Sequence, residues 1–282
     1  MKHQSLLHPS RRLTLVRWLS LLFFVGLTSY LGIRHQIVGG GPQGAAPLDT
    51  FCVFGGVETL WTYVTTGKFL AKTNMANLVL LAASLVLVIV AGAGFCGWIC
   101  PLGALQEWLG KLGKRLFGNS LTVPPAIDRS LRSLRFLFLA LILYRTVLDN
   151  KLWFETYDPF KVIFHFNFET TTSVVILALF IALSLPIERS WCRYLCPLSA
   201  VYSLLSPLSL FKLKRRPSAC IDCGICTRAC PVGIDVQHCG TIPDGQCIKC
   251  LQCMEACPKP DALVLETGKP PSAPAVPPAL PR

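Results

Sequence analysis

Eight cysteines near the C-terminus fall into two copies of one spacing. Cys220-x-x-Cys223-x-x-Cys226-x-x-x-Cys230-Pro231 is followed, 17 residues after Cys230, by Cys247-x-x-Cys250-x-x-Cys253-x-x-x-Cys257-Pro258. Three soft thiolates so close together can wrap three corners of one iron–sulfur cubane, and the fourth corner must be ligated from elsewhere. In the two-cluster bacterial spacing the Cys–Pro of each run crosses to the other cluster. This sorts Cys220, Cys223, Cys226 and Cys257 to one [4Fe–4S] cluster, and Cys247, Cys250, Cys253 and Cys230 to a second. Structural zinc would need a pair and a distant pair rather than repeated triplets, and a disulfide framework would need an oxidising compartment. A segment holding two such clusters side by side is built to move single electrons. Asp222, Lys249 and Glu255 read as solvated loop residues, and Cys239, outside the spacing, as a spare thiol.

The rest of the chain sets this segment against a membrane. Of 282 residues, 52% are hydrophobic and 15% charged, and the mean hydropathy of +0.51 is too apolar for an ordinary soluble domain. Apolar stretches cover residues 13–33, 76–95, 134–148 and 173–187. A spanning helix needs ~20 largely apolar residues, ~17 at the short end. The first two stretches reach this by themselves, the last two with their flanks. Lys and Arg then set the orientation. Lys2, Arg11, Arg12 and Arg17 come at the first stretch, Lys111, Lys114, Arg115, Arg129, Arg132 and Arg135 between the second and third, and Arg189, Arg193, Lys212, Lys214, Arg215 and Arg216 after the fourth. Both termini and the cysteine runs are therefore expected in the cytoplasm. The net charge of +12 is a topology signal, not a nucleic-acid footprint, because its residues flank apolar segments. Residues 199–213 read as an interfacial helix leading to a basic run that can sit on anionic headgroups. Residues 269–282, rich in Pro and Ala, read as a disordered tail.

The membrane half repeats itself. Phe95-Cys96-Gly97-Trp98-Ile99-Cys100-Pro101-Leu102-Gly103-Ala104 and Trp191-Cys192-Arg193-Tyr194-Leu195-Cys196-Pro197-Leu198-Ser199-Ala200 share one pattern, each after an even-numbered apolar stretch. The outer loops echo each other too, Thr50-Phe51-Cys52-Val53-Phe54 against Thr156-Tyr157-Asp158-Pro159-Phe160. Two halves running in the same direction imply a parallel repeat about an axis along the membrane normal. In each Cys-x-x-x-Cys-Pro, the i, i+4 spacing puts both thiols on one helix face, and the proline stops or kinks that helix. Brought together, Cys96, Cys100, Cys192 and Cys196 have the ligand count of a third Fe–S cluster; helix packing or redox-active thiols are the alternatives. Cys52, Glu58 and Asp158 are candidates for a quinone pocket on the outer side, where carboxylates could take quinol protons. His35 and His165 are further candidates there.

Taken with Phe54-Gly55-Gly56-Val57-Glu58-x-Leu60-Trp61 and Cys96-Gly97-Trp98-Ile99-Cys100-Pro101-Leu102-Gly103-Ala104-Leu105-Gln106, this organisation resembles the NapH/MauN-type membrane ferredoxin proteins, whose core also occurs in NosR-type proteins. The likeness covers residues 10–265; Val53 stands where relatives often have proline. It implies a quinol dehydrogenase component feeding a periplasmic reductase chain, or a maturation role for an enzyme of the methylamine dehydrogenase type. The fold expected is an α-helical membrane protein of four transmembrane helices in two parallel repeats (1–216), a small α+β ferredoxin-like domain with two [4Fe–4S] clusters (217–265) and a tail (266–282). Expected partners are lipid, the quinone pool, Fe–S or cytochrome c subunits and a periplasmic oxidoreductase. The expected location is the bacterial inner membrane, with any quinol dehydrogenase activity exercised only within a complex. The alternative is a maturation or redox-maintenance factor for a periplasmic enzyme.

Overall fold

Proline fixes where several helices begin, because its locked φ suits the first turn and its missing N–H costs nothing there. A computed structural model describes residues 9–39, 52–70, 73–118, 121, 123–165 and 171–267. The helices are α1 (Pro9–Val38), α2 (Val53–Thr66), α3 (Met75–Ala91), α4 (Gly94–Trp98), α5 (Pro101–Phe117), α6 (Pro125–Asp149), α7 (Pro159–Phe164), α8 (Thr171–Ser184), α9 (Ser190–Tyr194), α10 (Pro197–Leu205), α11 (Ile225–Arg228) and α12 (Gln252–Ala256). One antiparallel pair, β1 (Phe211–Arg215) with β2 (Leu263–Thr267), runs in register from Phe211↔Thr267 to Arg215↔Leu263. It takes one strand from each side of residue 216. The tail at 269–282 and Thr50–Phe51 of the first outer motif lie outside the described residues.

The apolar stretches form helices with shifted ends. Among the described residues one helix is long and apolar enough to cross a membrane, over Arg12–Val38. α3 stops at Ala91 because Gly92 turns to φ +64°, and the chain resumes as α4. α6 is long, at 25 residues, but carries Arg129, Arg132, Arg135 and Arg145. α8 is a 14-residue apolar helix. The interfacial helix expected over 199–213 is instead α10 followed by β1, whose Lys212 is buried rather than lying on a surface.

The chain divides into two compact units. One comprises residues 22–86 and 100–201. Its core gathers Phe54 of α2, Leu139 and Ile142 of α6, Phe154 and Ala200, with Phe54 and Phe154 edge to face at 5.1 Å. Gly113 on α5 is required by a close approach: a Cβ there would lie 1.9 Å from the Leu185 carbonyl oxygen. Lys114 reaches Glu188 at 2.7 Å on the same side.

The other unit comprises 1–21, 87–99 and the chain from 202. Here β1 and β2 carry the cysteine runs between them, and the second run rests on residues 92–98. A Cβ on Gly97 would lie 2.4 Å from the Ile248 carbonyl oxygen, and the Trp98 indole donates to the Lys249 carbonyl at 2.9 Å. Arg17 of α1, nearly fully buried, donates from Nε to the Gly97 carbonyl at 2.9 Å. A backbone seat of this kind tolerates no added volume. Gly113→Ala is expected to cost about 1–3 kcal/mol through overpacking, read as a lowered thermal midpoint of the purified protein. Gly26→Ala, inside α1 with nothing within 4 Å of its Cβ, serves as the control and should raise stability by up to about 1 kcal/mol rather than lower it.

Candidate metal centres

The two cysteine runs wind the backbone alike. Asp222 and Lys249 take φ 50° and 49°, and two residues on, Gly224 and Leu251 take 68° and 62°. α11 and α12 follow and hold the third cysteine of each run, Cys226 and Cys253. A leucine at positive φ is strained, and such strain survives where the surroundings over-determine it. Here the reversal turns successive cysteines toward one point.

That point is a cavity lined by Cys230, Cys247, Cys250 and Cys253 and closed by Leu213, Val232, Ile234, Val236 and Ile242. The structure thus brings the Cys–Pro of the first run to the triplet of the second. Backbone amides of Lys249 and Ile234 donate to Cys247 Sγ and Cys230 Sγ, each at 3.4 Å. Burial pushes the Cys247 thiol up to about 12 against the pull of Lys249, and Cys250 and Cys230 add to the rise. Burial, then Cys250, Cys247 and Cys230, push Cys253 up. Four soft donors around one cavity, Cys247 and Cys253 buried and Cys230 and Cys250 partly so, with amides aimed at two of the sulfurs, fit a group whose metal ions displace the thiol protons. In the other set, burial pushes Cys226 up, and Cys257 adds to the rise. Cys220 is 3.7 Å from an Asp222 oxygen. Cys239 does not line the cavity.

The Cys–Pro repeats depart from the expected geometry. The residue before proline is driven out of the helical region, so each helix breaks between its cysteines. Cys96 lies in α4, whereas Cys100 is extended (φ −64°, ψ 114°) and caps α5. Cys192 lies in α9 and Cys196 precedes α10. The carbonyls of Cys100 and Cys196 accept from Ala104 and Ala200, both at 3.2 Å, so the two junctions are built alike. Each pair therefore offers one thiol from a short helix and one from a helix junction, not two on one face.

Cys100, Cys192 and Cys196 belong to the first unit and Cys96 to the second. Burial pushes Cys100 and Cys192 up, Cys192 to about 12, with Cys100 adding to it and Arg189 opposing. The Cys192 amide donates to Gln106 Oε1 at 3.4 Å, while Gln106 Nε2 is buried with no partner. Arg189, fully buried, holds Glu107 at 3.0 Å. Asp128 gathers Arg193 at 2.6 Å, Arg132 at 2.7 Å and the Tyr194 hydroxyl at 2.9 Å. With the charge of Arg189 met by Glu107, it is the Gln106 amide donor, without a partner among the described residues and beside two thiols, that suits a sulfur-rich group.

At the two matching motifs of the repeat, Cys52 and Asp158 do the same local job. Cys52 (φ −78°, ψ 109°) caps α2 by accepting from the Gly55 amide, and Asp158 (φ −82°, ψ 110°) caps α7 by accepting from Phe160. Glu58 is 2% exposed and accepts from the Thr146 hydroxyl at 2.6 Å and the Phe154 amide at 3.4 Å. Burial lifts its carboxyl to about 7 against these donors, with Asp158 near enough to add to the rise. The His35 and His165 rings lie edge to face at 6.0 Å.

Sequence reasoning missed the buried polar groups. Lys249, read as solvated, is 5% exposed and bonded to Asp244. The signal was present: Lys249 occupies the step that Asp222 occupies in the first run. Gln106 and Glu107 likewise follow the first Cys–Pro motif within two turns of helix.

Comparisons with known proteins agree with this cysteine chemistry. Residues 73–120 and 170–216, which contain the two Cys–Pro motifs, each match the family model of a 4Fe-4S binding domain, and residues 212–258 match a 4Fe-4S dicluster domain. The putative electron transport protein YccM of Escherichia coli (strain K12) is 31% identical over 92% of this chain and 76% of its own. The ferredoxin-type protein NapH of Haemophilus influenzae is 28% identical over 81% of this chain and 79% of its own. The methylamine utilization ferredoxin-type protein MauN of Methylobacillus flagellatus is 31% identical over 59% of this chain and 57% of its own. No solved structure matches. The chain belongs to the NapH/MauN-type family of 4Fe–4S ferredoxin-type electron-transfer proteins, relatives of the NosR proteins.

Proposed function

We propose that the protein is a multi-pass inner-membrane subunit that oxidises quinol and relays its electrons through Fe–S clusters to partner oxidoreductases, ultimately a periplasmic one. The observation that carries the electron-transfer reading is the cavity where Cys230 meets Cys247, Cys250 and Cys253. In this reading those four hold one [4Fe–4S] cluster, and Cys220, Cys223, Cys226 and Cys257 a second. Bound there, the clusters supply one-electron chemistry. The chain supplies thiolates, amide donors to sulfur and a dry shell. Cys96, Cys100, Cys192 and Cys196 hold a third cluster; the match of both Cys–Pro segments to a 4Fe-4S binding model and the orphaned Gln106 donor support it.

The membrane reading rests on the Arg12–Val38 span and on the apolar side chains that α3, α6 and α8 also leave exposed, among them Val79, Leu137 and Leu179. The Lys and Arg distribution puts the ferredoxin-like segment in the cytoplasm. Oxidation of a quinol releases two electrons and two protons. Glu58 accepts one of these protons, because a carboxyl poised near neutrality changes state at working pH, and the other passes to solvent. Asp158 and Cys52 hold the helix ends around it. A helix of ~20 residues spans ~30 Å, so cytoplasmic clusters cannot serve an outer acceptor directly. The quinone or a partner's cofactors must cover that distance, which makes this chain one subunit of a complex. The methylamine-utilization relative favours a second reading, a redox-maintenance factor for a periplasmic enzyme.

Reduction of the clusters by a quinol analogue in membrane vesicles containing the partner enzyme tests the first reading; clusters that stay oxidised would overturn it. Mössbauer and iron analysis should find three cubanes per chain. Cys96→Ser with Cys192→Ser should remove one of them, and Cys230→Ser should damage a different one. Glu58 holds its proton in the folded protein over a pH range where the unfolded chain has lost it. Wild type therefore loses stability as pH rises from about 4.5 through about 7, by about 3 kcal/mol at most. Thermal midpoints across that range should fall for wild type and stay level for Glu58→Gln.

A further inference from the structure

The second cysteine run encloses a charge surplus. Lys212 Nζ lies 2.8 Å from Asp244 Oδ2, and Lys249 Nζ lies 2.5 Å from Asp244 Oδ1. All three side chains are buried, at 1%, 7% and 5% exposure for Lys212, Asp244 and Lys249. Lys212 also donates to the Pro207 carbonyl at 2.5 Å and Lys249 to that of Phe211 at 3.0 Å, which leaves both ammonium groups fixed in place. Two cations share one carboxylate, so a net positive charge is held out of water. Such a charge is costly unless something negative compensates it.

A cluster bound by the neighbouring thiolates would supply that negative charge. A cubane held by four thiolates is net negative, and its potential follows the charges and sulfur hydrogen bonds around it. Lys249 sits between Cys247 and Cys250, and its amide donates to Cys247 Sγ at 3.4 Å. The first run has the opposite arrangement. Its matching residue, Asp222, is 64% exposed, lies 3.7 Å from Cys220 Sγ and is met by Arg215 at 3.2 Å in solvent. Burial of Cys247 and Cys253 disfavours the more negative, reduced cluster; the fixed Lys249 cation opposes this at Cys247, where the first run offers the anion Asp222 instead.

We propose that the Lys212–Asp244–Lys249 triad sets the cluster of Cys230, Cys247, Cys250 and Cys253 at a higher reduction potential than its neighbour, so that the electron of the pair settles on the cluster whose loop is seated on residues 92–98. This rests on the ligand sets of the proposed function. Lys249 is a positioning residue for charge: it ligates nothing, and it makes the step from the solvent-side cluster toward Gly97 and Trp98 downhill.

The test is an EPR-monitored redox titration of the purified holoprotein, with iron content measured in parallel. Lys249→Met leaves Lys212 and Asp244 as a neutral buried pair and should retain both clusters. It should lower the higher of the two ferredoxin-segment midpoints by a tenfold or larger change in the oxidised-to-reduced ratio, 59 mV for one electron. Lys249→Arg should restore it, and the lower midpoint should stay put. Lys212→Met, which unpairs nothing on the cysteine loop, should shift the same midpoint in the same direction if Lys249→Met fails to load. Cys247→Ser should abolish the higher-potential signal. Loaded clusters with unmoved midpoints, or loss of the lower-potential signal in Cys247→Ser, would overturn this inference alone. A wild-type protein without a paired-cluster signal would overturn the ligand sets and this inference with them.

Discussion

Thiolate ligands to a cluster must be negative, yet Cys100, Cys192, Cys226, Cys247 and Cys253 lie in environments that resist charge. Burial first, and then neighbouring thiols, drive Cys192, Cys247 and Cys253 upward. A site of this kind holds together when metal ions and nearby donors replace the water that the sulfurs have lost. Much of the surrounding architecture supplies such replacements. Amides of Lys249 and Ile234 point at sulfur, Arg189 sits near Cys100 and Cys192, and Lys249 is anchored by Asp244. The charge surplus lies at the second run, where Lys212 and Lys249 share the single Asp244 carboxylate and a bound anionic group would offset it.

Proline supplies the second organising rule. The Cys–Pro pairs at Cys100 and Cys196 act as a hinge between two helices, ending one and starting the next within a single residue. That is why the cysteines of each repeat leave the backbone in different directions. It also explains why α4 and α9 are equally short, each running five residues from the turn to the residue two before its Cys–Pro. The outer ends repeat with different chemistry: a thiol at Cys52 and a carboxylate at Asp158 accept amide bonds from almost the same backbone angles. What the sequence comparison of the outer loops presents as a functional pair is, at this level, a shared helix cap.

Spacing made the cysteine chemistry readable, because ligand geometry acts over a few residues. The apolar helices were readable for the same reason, although their ends were not: Gly92 and the residue before each proline are local breaks inside an otherwise unbroken apolar pattern. Burial of Lys212, Lys249, Gln106 and Arg189 could not be read, since each depends on a partner between 5 and 86 residues away. Charged residues in loops are solvated far more often than not, and only the sign change between Asp222 and Lys249 in two otherwise matching runs hinted at the exception. The strand pair posed the same difficulty, with Phe211 opposite Thr267 across the whole cysteine segment.

The seat beneath the second run has a consequence for how this protein can be taken apart. Leu87, Ala91 and Trp98 line the same apolar hollow as Phe211, Leu251 and Leu265. The chain from residue 202 onward is therefore not a soluble carrier tethered to an anchor. Severed there, it would lose the floor that covers Leu251 and the indole that holds the Lys249 carbonyl. It would then expose a greasy underside next to an oxygen-sensitive cofactor. The cysteine-bearing segment and the turn at residues 92–98 belong to one compact unit, and neither is complete without the other.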